Sequence, residues 1–177
     1  MSVHRRTPII ATGDELDERP DRAVAAGRVR QIVRGVYTND LQHPLEQIVR
    51  DHLWEIVGTV IPDALITDRS AGPTPLEGDT LFVVSAQRAR DLTLPGLRVA
   101  VRAGVPPLDD DPPWPGGLRR ASVPRALVEN LARSRRRSGV ARTLNDEELA
   151  DWIAVLSVGY NWNHDRRHSD LVADPSR

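Results

Sequence analysis

The chain contains no cysteine and no lysine. Without cysteine it cannot form a disulfide, use a thiolate as a nucleophile or hold zinc through thiolates. Without lysine, all 24 cationic side chains are arginines, which bind phosphate and carboxylate through a planar fork. A restriction-nuclease-like site normally needs a lysine beside paired carboxylates, so the missing lysine argues against that class of enzyme.

Aromatic side chains and long apolar runs are also scarce. Aromatics make up 4% of the 177 residues, so the core must consist mostly of Val, Leu, Ile and Ala. No apolar run is long enough for a transmembrane helix, and the first residues lack the apolar centre of a secretory signal. We therefore expect a cytoplasmic bacterial protein with no membrane contact.

The charges nearly balance, with a formal net charge of -1. Any binding to nucleic acid must then come from local arginine clusters rather than from a global field. The chain also has no Ser-His-Asp, P-loop or dinucleotide-binding motif. We expect a protein that is not an enzyme and has no catalytic residue, no cofactor and no metal.

The hydrophobic pattern predicts alternating helices and strands. Residues 44–62 carry apolar side chains at helical spacing and predict one amphipathic helix. Short apolar runs predict a sheet, with strands at residues 64–67, 80–85, 91–94, 97–103 and 118–123. The proline-rich residues 105–117 predict an exposed loop, in which Asp109, Asp110 and Asp111 keep the segment solvated rather than hold magnesium.

Two helices follow the predicted sheet. The first opens at Pro124, with Leu127, Val128 and Leu131 expected to face inward. The second opens on a capping box formed by Asn145 and Glu148. Its inward stripe is expected at Leu149, Trp152, Ile153 and Leu156. The two helices should form a C-terminal helical hairpin.

These elements predict an α/β (α+β) protein in three parts. Residues 1–40 form a small, degenerate winged-helix-like module, and residues 41–158 form a mixed sheet with flanking helices. Residues 159–177 form a polar tail expected to be disordered. Within the tail, His164 and His168 are one helical turn apart, but no glutamate lies between them and the context is polar, so we expect no metal there.

The stretch GRVRQIVRGVYT, residues 27–38, predicts two short strands that turn at Arg34 and Gly35. Val29 and Val33 should point inward, which leaves arginines on the exposed face. Phosphate contact and an ordinary solvated strand face are both open interpretations of Arg28, Arg30 and Arg34.

Three short motifs in this order resemble one family. They are Arg34-Gly35-Val36-Tyr37 after a strand, residues 64–71 (ALITDRSA), and residues 121–127 (ASVPRAL) opening a helix. Over about residues 20–155 the chain resembles the AbiEi-type antitoxins and transcriptional regulators of bacterial type IV toxin–antitoxin systems. The family pairs a winged helix-turn-helix that binds its own promoter with an α/β domain that opposes a nucleotidyltransferase toxin.

The resemblance implies two partners, promoter DNA and a cognate toxin protein. For DNA it implies Arg28, Arg30, Arg34 and Tyr37 as the contact residues. A winged helix-turn-helix needs three helices before its wing, however, and residues 1–26 predict one. The alternative is a protein-interaction or regulatory module without DNA binding, whose partner is a nucleotidyltransferase or Fic-type toxin. Residues 125–144 are similar to regulatory segments that precede Fic domains, although the Fic catalytic motif is absent.

A dense run of arginines follows the first C-terminal helix. It could dock an acidic partner, or it could be a solvated helix end; we assign partner binding to Arg133, Arg135, Arg136 and Arg137. We assign structural roles to Gly35, as the turn residue, and to Arg125. Because Arg125 opens a helix among apolar neighbours, we expect its guanidinium to fork onto a carboxylate or onto strand carbonyls.

Overall fold

The computed structural model describes residues 9–11, 19–76, 78–88, 90–132 and 140–156. These residues form two sheets, one of three strands and one of five, with helices packed against them. The prediction of an α+β fold is confirmed. None of the helices in these ranges is long and apolar enough to cross a membrane.

The smaller sheet contains the hairpin that the sequence predicts. Strands β1 (Ile9–Ala11), β2 (Arg30–Val33) and β3 (Val36–Thr38) are antiparallel in the order β1-β3-β2. Helix α1 (Pro20–Ala25) lies directly before β2 in the chain. The hairpin turns at Arg34 and Gly35, and Gly35 has a φ of 90°, which a glycine adopts without strain.

The ladder between β2 and β3 shifts register between Gln31 and Val33. The sequence predicted Val29 and Val33 as the buried pair, whereas the structure buries Val29 and Ile32 and leaves Val33 half-exposed. Val29 packs with Tyr37, and Ile32 packs with Val36. Since neighbouring strand residues point to opposite faces, the hairpin buries side chains on both faces and not on one inward face.

The predicted helix at residues 44–62 is interrupted once. It forms α2 (Leu45–Asp51) and α3 (Leu53–Val60), separated at His52, whose φ of −119° leaves the helical region. The backbone bond from the His52 N–H to the Ile48 carbonyl is kept, so the chain bends without stopping. The apolar spacing predicted the buried face correctly but carried no signal for the bend.

The larger sheet has the strand order β6-β7-β5-β4-β8. Its strands match the predicted segments: β4 (Leu65–Ile66), β5 (Thr80–Ser85), β6 (Leu92–Leu94), β7 (Leu97–Ala103) and β8 (Arg119–Arg120). Strands β5 and β7 are parallel, as are β4 and β8, while the β4–β5 and β6–β7 pairs are antiparallel.

Each face of this sheet has its own apolar cluster. On one face, side chains such as Val83 and Val99 join α2, α3 and the smaller sheet in the principal core. That core includes Ile32 and Val36, so it continues across residue 40, and the predicted division into modules stays a prediction. On the other face, Leu65 and Val84 pack with α4 (Val123–Leu131) and with a helix at residues 146–156, named α5.

Helices α4 and α5 pack together as predicted, but their inward residues differ in part. Val128 and Leu131 are 68% and 69% exposed, and α4 instead buries Ala126 and Asn130. On α5, Leu149 and Trp152 are buried as predicted, whereas Ile153 is 45% exposed. Apolar spacing predicted the wrong buried face because the buried residue Asn130 is polar. Its side chain donates to the Ala126 carbonyl and accepts from the Leu144 N–H, and hydrogen bonds of this kind allow a polar group to be buried.

The segment at residues 105–117 is mostly exposed but is fixed at two points. A 3₁₀ turn, Pro115–Gly117, contacts α3 so closely that a Cβ on Gly58 would lie 1.9 Å from the Gly116 carbonyl oxygen. Trp114 meets Trp54 edge to face, with ring centroids 5.6 Å apart. The second point is Asp111, which is fully buried, so the prediction that all three aspartates keep the segment solvated is wrong for Asp111.

Candidate functional site

The hairpin presents two of its three arginines to solvent. Arg28 and Arg34 are exposed, the second at the tip of the turn. Arg30 is half-buried, and its guanidinium donates to the carbonyl oxygens of Asp40, at 2.6 and 3.1 Å, and of His43, at 2.5 Å. The arginines therefore do not form a single row. Arg30 fastens the connection between β3 and α2, while Arg28 and Arg34 face outward.

The Arg30 contact is part of a small polar loop. The Asp40 carboxylate accepts hydrogen bonds from the backbone N–H groups of Gln42 and His43 and from the His43 ring, Nδ1 lying 2.7 Å away. These bonds from His43 and Gln42 lower the pKa of Asp40 to about 2. The Asp40 carboxylate that accepts these bonds is therefore ionised at neutral pH.

Tyr37 does not lie with the exposed arginines. It is 7% exposed and packs with Ala23 of α1 and with Val29 in a small buried cluster. A ring in this position joins the helix to the sheet, and it is not offered to a base or a phosphate. The structure therefore opposes the prediction that Tyr37 contacts DNA, because the motif carried no information about the direction of this side chain.

Helix α1 adds two exposed arginines, Arg19 just before it and Arg22 within it. Residues 19–39 contain five arginines and one aspartate, so this part of the chain is locally cationic although the whole chain is not. We name the exposed side chains of Arg19, Arg22, Arg28 and Arg34 the basic N-terminal surface. An acidic run, residues 14–18, precedes it in the sequence and lies outside the described residues.

The predicted partner-binding residues Arg133, Arg135, Arg136 and Arg137 lie outside the described residues, as does the polar tail with His164 and His168. Within the described ranges, no group of three or more His, Asp or Glu side chains is arranged to hold a metal ion.

The densest polar cluster lies elsewhere, at the turn after β4. This 3₁₀ turn, Asp68–Ala71, starts with a non-glycine residue in the left-handed region, because Asp68 has a φ of 53°. The Asp68 carboxylate, 1% exposed, accepts from Arg102 of β7 at 2.9 Å and from Arg142 at 2.6 Å. Glu129 of α4 also binds Arg102, at 3.2 Å, and its other oxygen accepts from the Thr67 hydroxyl.

Burial raises the pKa of the Asp68 carboxyl above its ordinary value. The hydrogen bond from Arg102 and the charges of Arg102 and Arg142 act in the opposite direction but do not reverse this rise. The nearby Glu129 carboxylate adds to the rise. The bonds to Asp68 and Glu129 raise the pKa of Arg102 in spite of its own burial. The cluster thus joins two carboxylates to two guanidinium groups from four separate stretches of the chain.

Arg125 links this cluster to the loop at residues 105–111. Its guanidinium donates to the buried Asp111 carboxylate at 2.7 Å, to Glu129 at 3.2 Å, and to the carbonyls of Val105 and Pro106. The geometry is the fork expected from the sequence, although the carbonyls belong to a loop and not to a strand. Backbone N–H groups of Leu108 and Ser122, with Arg125, lower the pKa of Asp111 against the effect of its burial.

Sequence reasoning missed the cluster around Asp68. Residues 64–71 form one of the three motifs, but Arg102 lies in a predicted strand and Arg142 lies far from both, so no local pattern relates them. The remaining signal was a polar turn, Thr67-Asp68-Arg69-Ser70, between two apolar strands. No family model matches the chain, and neither the curated proteins nor the solved structures contain a significant match to it.

Proposed function

We propose that the chain is an antitoxin-like transcriptional regulator without enzymatic activity, which binds promoter DNA through its basic N-terminal surface. The observation that carries the proposal is the placement of exposed arginines on both α1 and the hairpin that follows it. Guanidinium groups on adjacent helix and strand elements suit contact with successive phosphates. The antitoxin part rests on the resemblance of the three sequence motifs.

The three arginines of the hairpin stretch would play unequal roles in this binding. Arg28 and Arg34 would contact phosphates, since both are exposed. Arg30 would contribute by holding the hairpin, since its guanidinium already donates to the carbonyls of Asp40 and His43. The DNA would be bound mainly through its backbone, because the described helix before the hairpin has only six residues to present to a groove.

Salt-dependent DNA binding tests the proposal. Binding of the full chain to the DNA upstream of its own gene is measured by fluorescence anisotropy at several salt concentrations. Each phosphate contact contributes about 0.9 to the slope of log affinity against log salt, so Arg28→Gln with Arg34→Gln should lower the slope by about 1.8. Arg90→Gln, at an exposed arginine between β5 and β6, is the matched control and should leave the slope unchanged.

Arg30→Gln gives the second comparison. It should lower thermal stability through the lost bonds to Asp40 and His43 and leave the salt slope near that of the wild type. If the wild type shows no salt-dependent binding at low ionic strength, the DNA-binding proposal fails.

A protein-interaction module without DNA binding is the second candidate. The observation in its favour is the single short helix described before the hairpin, where a winged helix-turn-helix has three. The partner would be the product of an adjacent toxin gene, a nucleotidyltransferase or a Fic-type protein. Calorimetric titration of that purified product into the chain tests this candidate: saturable binding without DNA affinity favours it, and absence of both interactions excludes both candidates.

A further inference from the structure

The Asp68–Arg69 pair connects the larger sheet to the segment at residues 140–156. From one side, Asp68 accepts from the Arg142 guanidinium at 2.6 Å. From the other, the Arg69 backbone N–H donates to the Arg142 carbonyl at 3.1 Å, and the Arg69 side chain donates to the Ala141 carbonyl at 3.0 Å. Two consecutive residues of one turn, Asp68 and Arg69, therefore bind Ala141 and Arg142, which precede α5.

Arg69 also holds α5 itself. Its guanidinium, 9% exposed, donates to both carboxylate oxygens of Glu148, at 2.9 and 3.2 Å. The same Glu148 carboxylate accepts from the Asn145 N–H, and Asn145 accepts from the Glu148 N–H, which closes the capping box of α5. The N-terminus of α5 is thus fixed in position by a bidentate ion pair to the turn.

Residues 140–156 contribute few buried apolar side chains. Leu149 and Trp152 are its buried apolar side chains, and Leu144 and Leu156 are half-buried against the same cluster. Ile153 and Val155 are 45% and 63% exposed. None of these side chains belongs to the principal core, which lies on the opposite face of the sheet. The segment can therefore leave the sheet without a loss of contacts in that core.

Two partly buried cations bind the carboxylate at the start of this turn. The Asp68 φ of 53° lies in the left-handed region, which aspartate enters more readily than most side-chain-bearing residues. Its carboxylate accepts from Arg102 and Arg142, whose side chains are 32% and 29% exposed. Only Arg142 belongs to the segment at residues 140–156, so release of that segment would break one ion pair and leave the other in place.

We propose that the Asp68–Arg69 turn is a latch, which holds residues 140–156 over the second face of the larger sheet, and that this segment opens as a unit while the principal core stays folded. Opening would separate Leu149 and Trp152 from the apolar cluster that they share with Leu65, Val84 and Ala121. This device is independent of DNA binding, because it involves neither α1 nor the hairpin.

Hydrogen exchange of the full chain, read by mass spectrometry, tests the latch. Asp68→Asn removes the charge, and asparagine still tolerates a positive φ, so the variant tests the ion pairs without adding backbone strain. Arg142→Gln breaks the latch from the other side. Asp79→Asn is the control, since Asp79 is 65% exposed and pairs with Arg50 on the surface. Peptides covering residues 146–156 are compared with peptides from β5 and β7.

Both latch variants should exchange at least about tenfold faster in residues 146–156, with less than about twofold change in β5 and β7 and no change in the control. If exchange accelerates equally in all these peptides, the cluster serves global stability and the latch is refuted. If neither variant accelerates exchange, it is refuted as well.

The wild type supplies a test that does not depend on the variants folding. At increasing, sub-denaturing concentrations of denaturant, residues 146–156 should exchange through openings that occur at least about tenfold more often than those of β5. Equal opening frequencies in the two regions would overturn the proposal.

Discussion

Replacing Arg125 with alanine should destabilise the fold through the carboxylate that it leaves behind. The Arg125 guanidinium is bound to Asp111 at 2.7 Å, and the two side chains are 13% and 0% exposed. The Asp111 carboxylate has no exposed surface in the folded protein. The substitution therefore leaves a buried negative charge with fewer partners.

The expected loss of unfolding free energy depends on the hydrogen bonds that Asp111 retains. Loss of one partner of a buried ion pair typically costs about 3–5 kcal/mol. Asp111 retains hydrogen bonds from the N–H groups of Leu108 and Ser122, so we expect Arg125→Ala to cost about 2–4 kcal/mol. For a chain of this size, each kcal/mol lowers Tm by roughly 2–4 °C, and the expected decrease is about 5–15 °C.

Denaturant unfolding followed by circular dichroism measures this free energy. Arg50→Ala is the control, because Arg50 is half-exposed in its pair with Asp79 and should cost no more than about 1 kcal/mol. The double variant Arg125→Ala with Asp111→Asn should cost less than the sum of the two single changes, since it removes the buried charge as well as its partner. An Arg125→Ala variant within about 0.5 kcal/mol of the wild type would refute the reasoning.

Three further predictions concern two glycines and one carboxyl group. Gly35→Val should lower Tm, because a β-branched residue is strained at a φ of 90°; Arg34→Val, next to it in the same turn, is the control and should have the smaller effect. Gly58→Ala should destabilise by at least about 2 kcal/mol, the reverse of the gain usual inside a helix, because its Cβ would lie 1.9 Å from the Gly116 carbonyl; Thr59→Ala is the control, and a stabilised Gly58→Ala would contradict the contact. Since the folded-state pKa of Asp111 is lowered from its ordinary 3.8, its contribution to stability is complete above that value and is lost as the pH falls through the lowered pKa. Unfolding free energy measured between about pH 5 and pH 3 should therefore fall more steeply for the wild type than for Asp111→Asn, and equal slopes would contradict the prediction.

Local sequence signals predicted the elements of the fold well. The five strands of the larger sheet lie where short apolar runs predicted them, and Asn145 and Glu148 form the capping box that the sequence indicated. Gly35 turns the hairpin with the positive φ that a glycine there suggested. These features depend on residues close in the chain, so the periodicity and the turn residues are enough to predict them.

Side-chain directions were predicted less well. Val128 and Leu131 lie on the exposed side of α4, and Tyr37 is buried although a contact role was expected. In each case the direction depends on a neighbour distant in sequence: Leu144 for Asn130, which is buried in place of those apolar residues, and Ala23 for Tyr37. Spacing within one element carries no information about such neighbours.

The basic N-terminal surface was also predictable only in its local features. An arginine-rich hairpin with a glycine turn could be predicted from twelve consecutive letters, residues 27–38, because strand pairing across a two-residue turn is local. That Arg30 binds carbonyls at Asp40 and His43 could not, since the loop beyond β3 has to fold back first.

The sequence by itself determined the composition of the core, the order of helices and strands from α1 onward, and the α+β class, because hydrophobic periodicity and turn residues act over a few neighbouring positions. It carried no signal for β1, which is formed by pairing with the distant β3. Only the tertiary structure decided which charges meet. Asp68, Arg102, Glu129 and Arg142 come from four separate stretches of the chain, and nothing in their local spacing relates them. The Asp68 carboxylate is 1% exposed, and a carboxylate so buried is stable only beside a positive charge, so the fold has to bring guanidinium groups to it from distant parts of the chain.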